Sequence, residues 1–501
     1  VVTLILSADI EEDVNSINII EDRARRKDYP IMQRKYGICL CVLAISLIWA
    51  GISSAAPKGG IPQSLIDKLQ NSKQNNADGI LGDIIANRDV SEIALNRQRY
   101  IEHNKIVNFR IKTGDVTNQK SSGRCWLFSA MNVFRPQIIK KYKLKNFEFS
   151  EIYLTFWDKL EKSNTFLQGM IDLAGRPADD RELEILKKDP IGDGGWWTYF
   201  VDLVDKYGLV PKEAMPETYN SSATGSMNNA LNLKLKEMGM ALRGLAQAGV
   251  SPDSLAVQKS NMLAEIYRLL TLNLGKPPVE FVWRYESTDS TAAGQKPKTY
   301  TPQSFRKEVI GDDLYDYVAM FNYAGKNYFD MYRLKQSRNI YDRTDFTVLN
   351  VPVDTLKTYA LKSILDSTPV WFACDVGKED YGAEGIMALD IYDYEKIYGT
   401  TFKMPKADLI YTELITPNHA MAFVGVDTLA GQPQKWLVEN SWGGERGDKG
   451  YWYMYNDWFD RYMFGVIIKK KYLSKEILAL SNKTPIELPP WDPMYALTRL
   501  K

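Results

Sequence analysis

The sequence predicts an α+β protein with its helices first and its strands last, and three observations carry that expectation. Apolar residues recur at helical spacing up to about residue 344, short β-type runs take over from Phe346, and residues 488–493 (LPPWDP) are too rich in proline for either.

The chain of 501 residues, 45% of them hydrophobic and 25% charged, is long enough to bury a large core in one elaborated domain or in two to three smaller ones. Its 63 Lys and Arg against 62 Asp and Glu give no global charge to recruit nucleic acid or an acidic membrane surface. Four cysteines in a chain of this length do not make a disulfide scaffold. Two histidines and no Cys-x-x-Cys pair leave little from which to build a zinc site, so neither a metal nor another cofactor is expected.

Residues 1–31 read as an upstream extension and not as structure. Residues 32–55 have the three-part layout of a secretory signal: the basic start Met32-Gln33-Arg34-Lys35, an apolar run from Ile38 to Trp49, and the small residues of Ser53-Ser54-Ala55-Ala56-Pro57. The run falls short of the roughly 20 apolar residues that span a bilayer. Export is therefore expected, with a membrane anchor, or a cytoplasmic protein if the segment is unused, as the alternatives.

A polar region fills 56–108. Residues 109–217 form a helical lobe, with one helix over 125–135 interrupted at Pro136, a second over 147–160, and a third over 196–207 that follows Gly194-Gly195 and stops at Gly208. Residues 218–345 read as a helical insertion. Its stripes Leu231, Leu235, Met238, Leu242, Leu245 and Met262, Ile266, Leu269 have the spacing of core packing. Residues 346–487 form the β-rich lobe, with runs at 370–372, 419–426, 436–438, 451–454 and 466–468, and residues 488–501 make an extended C-terminal arm.

The chemistry gathers at the first helix. Asn118-Gln119-Lys120-Ser121-Ser122-Gly123-Arg124-Cys125-Trp126 puts a thiol where a loop becomes a helix, and the unpaired N–H groups there favour a thiolate, the attacking species. Gln119 can aim a side-chain N–H at the point served by the backbone N–H of Cys125, so the two can stabilise an oxyanion. Gly123 lets the backbone approach a substrate. Such a nucleophile needs a base that holds its proton and later delivers it to a leaving amine. His419 opens an apolar strand, whereas His103 sits in a polar stretch with no orienting partner visible in the sequence. Asn440, at the end of the next strand, can fix the imidazole, and Trp442 can shield their bond. Cys374, inside the apolar run Val370-Trp371-Phe372-Ala373, reads as packing.

Cysteine, histidine and asparagine in this order, with a glutamine upstream, are the papain arrangement. The chain resembles the bleomycin hydrolase and aminopeptidase C branch of the papain-like cysteine peptidases. Ser122-Gly123-Arg124-Cys125-Trp126 stands in place of the Cys-Gly-Ser/Ala-Cys-Trp/Tyr form. His419 follows Cys125 by 419 minus 125, or 294, residues, against about 130 to 150 in papain-type enzymes, and the insertion accounts for the excess. Tyr207-Gly208-Leu209-Val210-Pro211-Lys212, Ala214-Met215-Pro216-Glu217-Thr218, Cys374-Asp375-Val376-Gly377-Lys378 and Trp491-Asp492-Pro493-Met494 extend the match.

The resemblance implies a two-lobe fold, a hexameric cage, peptide substrates, and a C-terminal arm lying in its own cleft to make a thiol-dependent aminopeptidase of broad specificity. Two features depart from the family: the export signal, and a tail in which Tyr495 replaces the usual Gly and Thr498-Arg499-Leu500-Lys501 runs past the common end. An endopeptidase or oligopeptidase with a displaced arm is the nearest alternative, and a non-catalytic hexameric binding protein is the alternative of another class.

Overall fold

The computed structural model describes residues 59–72, 76–289, 296–311 and 313–494. The expected extension 1–31, the signal segment 32–55, Tyr495 and the tail Thr498 to Lys501 lie outside the described residues. Contacts divide the chain into two units, residues 1–80 and 81–501. In the first, helix Gln63–Gln70 buries none of its side chains. Among the described residues no helix is long and apolar enough to cross a membrane.

The second unit is built on a mixed sheet whose central run is antiparallel. Tyr317–Phe321, Met463–Lys469, Val370–Cys374, His419–Leu429, Gln432–Glu439 and Tyr451–Tyr455 lie side by side in that order. The resemblance implies an antiparallel β lobe, but the lobe also holds parallel pairs. Tyr317–Phe321 pairs in parallel with Thr347–Asn350, Tyr451–Tyr455 with Ile386–Met387, and Ile486–Leu488 with Met331–Leu334. Strand residues also begin before Phe346: the region 218–345 is helical in Gly225–Gln247 and Pro252–Leu274 and then contributes Tyr317–Phe321 and Met331–Leu334 to the sheet.

The insertion's stripe is core at Leu231, Leu235, Met238, Leu242 and Ile266, but Leu245 faces out and Leu270 takes the fully buried place expected of Leu269. A helix over 3.6 residues per turn rotates each further turn slightly, so the ends of a stripe drift to the boundary of the face.

The first helix does not stop at Pro136. It runs Cys125–Tyr142 with the proline inside. Proline forfeits one backbone hydrogen bond, at a cost of about 3 kcal/mol in a helix interior. Beyond it Ile138 and Ile139 are buried, and burying two such side chains, at about 1.5–3 kcal/mol each, is enough to carry the last turns. Arg135, immediately before the proline, is buried too and donates to the carbonyls of Phe147 at 2.7 Å and Asp115 at 2.7 Å, while pairing with Glu439 at 3.3 Å. Glu439 precedes Asn440, so this buried pair ties the cysteine helix to the strand that ends at the asparagine.

The second helix spans Glu151–Asp172, capped by Ser150 accepting from the Tyr153 amide, and the third spans Trp197–Tyr207 and stops where Gly208 turns to φ 78°. Helices and sheet meet in an aromatic core: Trp196 stacks on Phe346 at 4.8 Å and lies 5.8 Å from Trp371, whose indole N–H donates to the Trp126 carbonyl at 3.1 Å.

Candidate active site

Cys125 is the first residue of its helix, and the docking of that helix onto the sheet decides what the thiol meets. Ser129 Oγ, one turn on, donates to the Ala420 carbonyl at 2.7 Å, which seats the helix start beside the residue following His419. The backbone N–H groups of Ala420, Trp126 and Cys125 itself reach the sulfur. His419 Nε2 and Asn440 Oδ1 are 2.8 Å apart, and the same oxygen accepts from the Ser441 amide at 2.8 Å. Trp442 stacks on the imidazole at 4.7 Å between ring centres, covering the His419–Asn440 bond from solvent.

Gln119 joins this group through the backbone. Its N–H donates to the Ser441 carbonyl at 2.8 Å and Gly443 N donates to the Thr117 carbonyl at 3.0 Å, so the glutamine segment is laced to the segment after Asn440. Its side-chain carbonyl accepts from Ser441 Oγ at 2.6 Å, and Nε2 donates to the Ser122 carbonyl at 2.6 Å. The structure thus brings Gln119, Cys125, His419 and Asn440 to one place, from a loop, a helix start, a strand start and a strand end. His103 is elsewhere. It does have a partner, Tyr455 OH at 3.1 Å from Nδ1, which the sequence did not reveal.

All four residues are buried, and burial opposes the charged forms of the two that titrate. Burial pushes the Cys125 thiol up to about 11, and the three N–H groups at the sulfur only partly oppose it. Burial also pushes His419 down to about 4, against the bond from Asn440. The helix-start donors act in the expected direction, and burial opposes them. Cys374 is fully buried opposite His419 in the neighbouring strand, and burial drives its thiol well above the ordinary range, which suits packing and not attack.

Beside Cys125 opens a cavity of about 1000 Å³, lined by Ser122, Gly123, Asp193, Gly194 and Lys162 among others. Gly195 is required next to it, since a Cβ there would stand 2.6 Å from the Trp126 ring. The arm walls a second pocket of about 280 Å³: Pro490 to Pro493 line it together with Ile185, Lys188, Thr416 and Pro417. Lys326 pairs with Asp492 at 2.9 Å, Arg181 lies 5.0 Å over the Trp491 ring, and Met494 is fully buried. The described part of the arm therefore shares a pocket with the two residues that lead, through Asn418, to His419. Among the described residues no group of three or more His, Cys, Asp or Glu side chains could hold a metal ion.

Asp193, Ser441 and Ala420 were not singled out from sequence. Asp193 precedes the conspicuous Gly194-Gly195 pair and Ser441 follows Asn440, so each sat next to a motif, but their partners are distant in the chain.

A buried Cys–His–Asn group at a helix start docked on an antiparallel run defines a papain-like cysteine peptidase fold. The Peptidase C1-like family model matches residues 61–495, and the chain belongs to that family of cysteine-type peptidases. It is 35% identical over 436 residues to an aminopeptidase C of Lactobacillus delbrueckii subsp. lactis, covering 86% of this chain and 97% of the relative. It is 38% identical over 392 residues to the bleomycin hydrolase of Homo sapiens, covering 76% and 86%. The crystal structure of pepw from Lactobacillus rhamnosis superposes with a TM-score of 0.83 at 36% identity, over 87% of this chain and 99% of that one.

Proposed function

We propose that this peptidase is a thiol-dependent aminopeptidase that removes residues from free N-termini with broad specificity. Cys125 is its nucleophile, His419 its general base and acid, Asn440 the residue that orients the imidazole, and Gln119 a donor to the oxyanion. His419 takes the thiol proton as Sγ adds to the scissile carbonyl carbon. The oxyanion accepts from the Cys125 backbone N–H and the second N–H of Gln119 Nε2. Collapse expels the amine, which receives the proton from His419. Water, deprotonated by the same imidazole, then hydrolyses the thioester and restores the thiol.

The observation that carries the exo-acting reading is the arm. With Trp491 and Asp492 walling the same pocket as Thr416 and Pro417, the arm stands where a peptide would extend past the catalytic group at its amino-terminal end. The likeness to the aminopeptidases C supports the same reading. Peptides with free and with acetylated N-termini, incubated with and without iodoacetamide, test it. Stepwise trimming of the free forms alone, lost on alkylation, is expected; equal cleavage of acetylated peptides would favour an endopeptidase.

A homohexameric assembly and export belong to the same proposal. The family likeness supports the first, and the layout from Met32 to Pro57 supports the second. Light scattering of the purified protein tests the assembly. N-terminal sequencing from the native host tests export, with a start near Ala56 expected and one before Met32 counting against it.

A further inference from the structure

We infer that Asp193 is a positioning residue for the Cys125 site, gripping the nucleophile loop on both sides of the cysteine; the inference rests on the reading of Cys125 as nucleophile. Two of its contacts address that loop. Asp193 Oδ2 accepts from the Gly123 amide at 2.9 Å, two residues before Cys125, and the Asp193 carbonyl accepts from the Trp126 indole at 2.7 Å, one residue after it. The rest of the carboxylate is anchored elsewhere. Thr224 Oγ1 donates to Oδ2 at 2.5 Å, and Lys159 Nζ and Asn228 Nδ2 donate to Oδ1 at 2.6 and 2.8 Å.

Those anchors are stiff. Lys159 is fully buried on the second helix and also donates to the Ile191 carbonyl at 2.7 Å. Lys162, one turn on, donates to the Gly192 and Gly194 carbonyls at 2.9 and 2.7 Å and pairs with Asp158 at 2.7 Å. Thr224 and Asn228 come from the helical insertion. One side chain thereby fixes three elements, the second helix, the insertion and the Gly192–Gly195 wall, to the backbone that presents the thiol. Gly123 and Gly194 both line the large cavity, so the spacing that Asp193 sets is the spacing a bound peptide meets.

The carboxylate also acts on the sulfur. Burial alone would raise its pKa, but the Lys159 charge and the hydrogen bonds from Lys159, Thr224 and Gly123 hold it well below the usual range. Its fixed negative charge raises the Cys125 thiol further. A carboxylate serving only as a packing anchor in the fold has no such reach to the nucleophile.

The test compares wild type, D193N, and the double variant K159M/D193N, which removes the buried lysine left unpaired by the first change. Asn offers one acceptor oxygen where Asp offers two, so a pair of donors loses its partner in D193N and at least one donor does in the double variant. With a free N-terminal peptide, kcat/KM is expected to fall about a hundredfold in both. Alkylation of Cys125 by iodoacetamide, followed by mass spectrometry against pH, is expected to move to lower pH in D193N, where Lys159 stands uncompensated, and to move back in the double variant. Thermal stability alone would fall for a merely structural aspartate, with the alkylation profile unmoved. Wild-type kcat/KM together with a wild-type profile in D193N would overturn the inference. If D193N does not fold, wild-type kcat/KM in the double variant does so. A wild-type enzyme that keeps its activity after alkylation of Cys125 sinks the nucleophile reading instead, a result separable from either.

Discussion

Ser441 Oγ donates to Gln119 Oε1 at 2.6 Å, and this one bond sets which way the Gln119 amide faces. With its oxygen occupied, Nε2 points back toward the loop, where one N–H meets the Ser122 carbonyl and, in the proposed mechanism, the other donates to the oxyanion. Gln119→Ala should lower kcat about 100- to 1000-fold, the usual loss for one oxyanion donor. Ser441→Ala should cost less, about tenfold, because the amide is freed to rotate but not removed; about 1.4 kcal/mol, one ordinary hydrogen bond, corresponds to that factor. Steady-state kinetics on one peptide separates the two, and a Ser441→Ala enzyme as slow as Gln119→Ala would show that the serine does more than orient.

The two described cysteines should part company on substitution. Cys125→Ala is expected to abolish peptide hydrolysis with circular dichroism unchanged. Cys374→Ala should keep most activity while losing about 1–2 kcal/mol of stability, since a fully buried sulfur leaves a small cavity in the strand beside His419. Equal loss of activity in both, with folds intact, counts against the assignment.

The pH profile follows from burial. The competent pair carries one proton between Sγ and the imidazole. A second proton adds only where His419 accepts it, pushed down to about 4, and the shared proton leaves only where the thiol releases it, pushed up to about 11. Activity should therefore persist well below the ordinary histidine value of about 6.5 and above the ordinary thiol value of about 8.5. In His419→Ala the thiol has no partner to take its proton, so alkylation of Cys125 should be confined to strongly alkaline pH, while in wild type it proceeds near neutrality. A profile of alkylation rate against pH that is the same in both would remove His419 from the mechanism.

How much of this was legible in the sequence depended on range. Gln119, Cys125, His419 and Asn440 each sit in a local pattern, a helix start, a strand start or a strand end, so local reasoning found them. Asp193 draws its donors from Gly123, Lys159, Thr224 and Asn228, and only the folded chain brings those together. The parallel pairing of Ile486–Leu488 with Met331–Leu334 is likewise non-local. Pro136 misled for a related reason: the local penalty was read correctly, but Arg135, Ile138 and Ile139 are held by distant residues that outweigh it.

The arm supplies the last prediction. Lys326 and Asp492 pair at 2.9 Å with both side chains largely buried, and Trp491 lies under Arg181, so the arm is held before it reaches the tail. If it sets where the substrate's amino group stops, loosening it should admit chains that continue past that point. Asp492→Ala leaves Lys326 without its partner and should cost a few kcal/mol of arm seating. Truncation after Met494 keeps that anchor but removes everything beyond. Both changes should raise cleavage of acetylated peptides relative to free ones. Thr498 to Lys501 include two basic residues, and a nucleophile that reaches its own tail would work on it at high effective concentration. Mass spectrometry of active protein should show loss of C-terminal residues that Cys125→Ala protein retains. An untrimmed aminopeptidase whose preference for free N-termini survives truncation after Met494 would show that the register is set by something other than the arm.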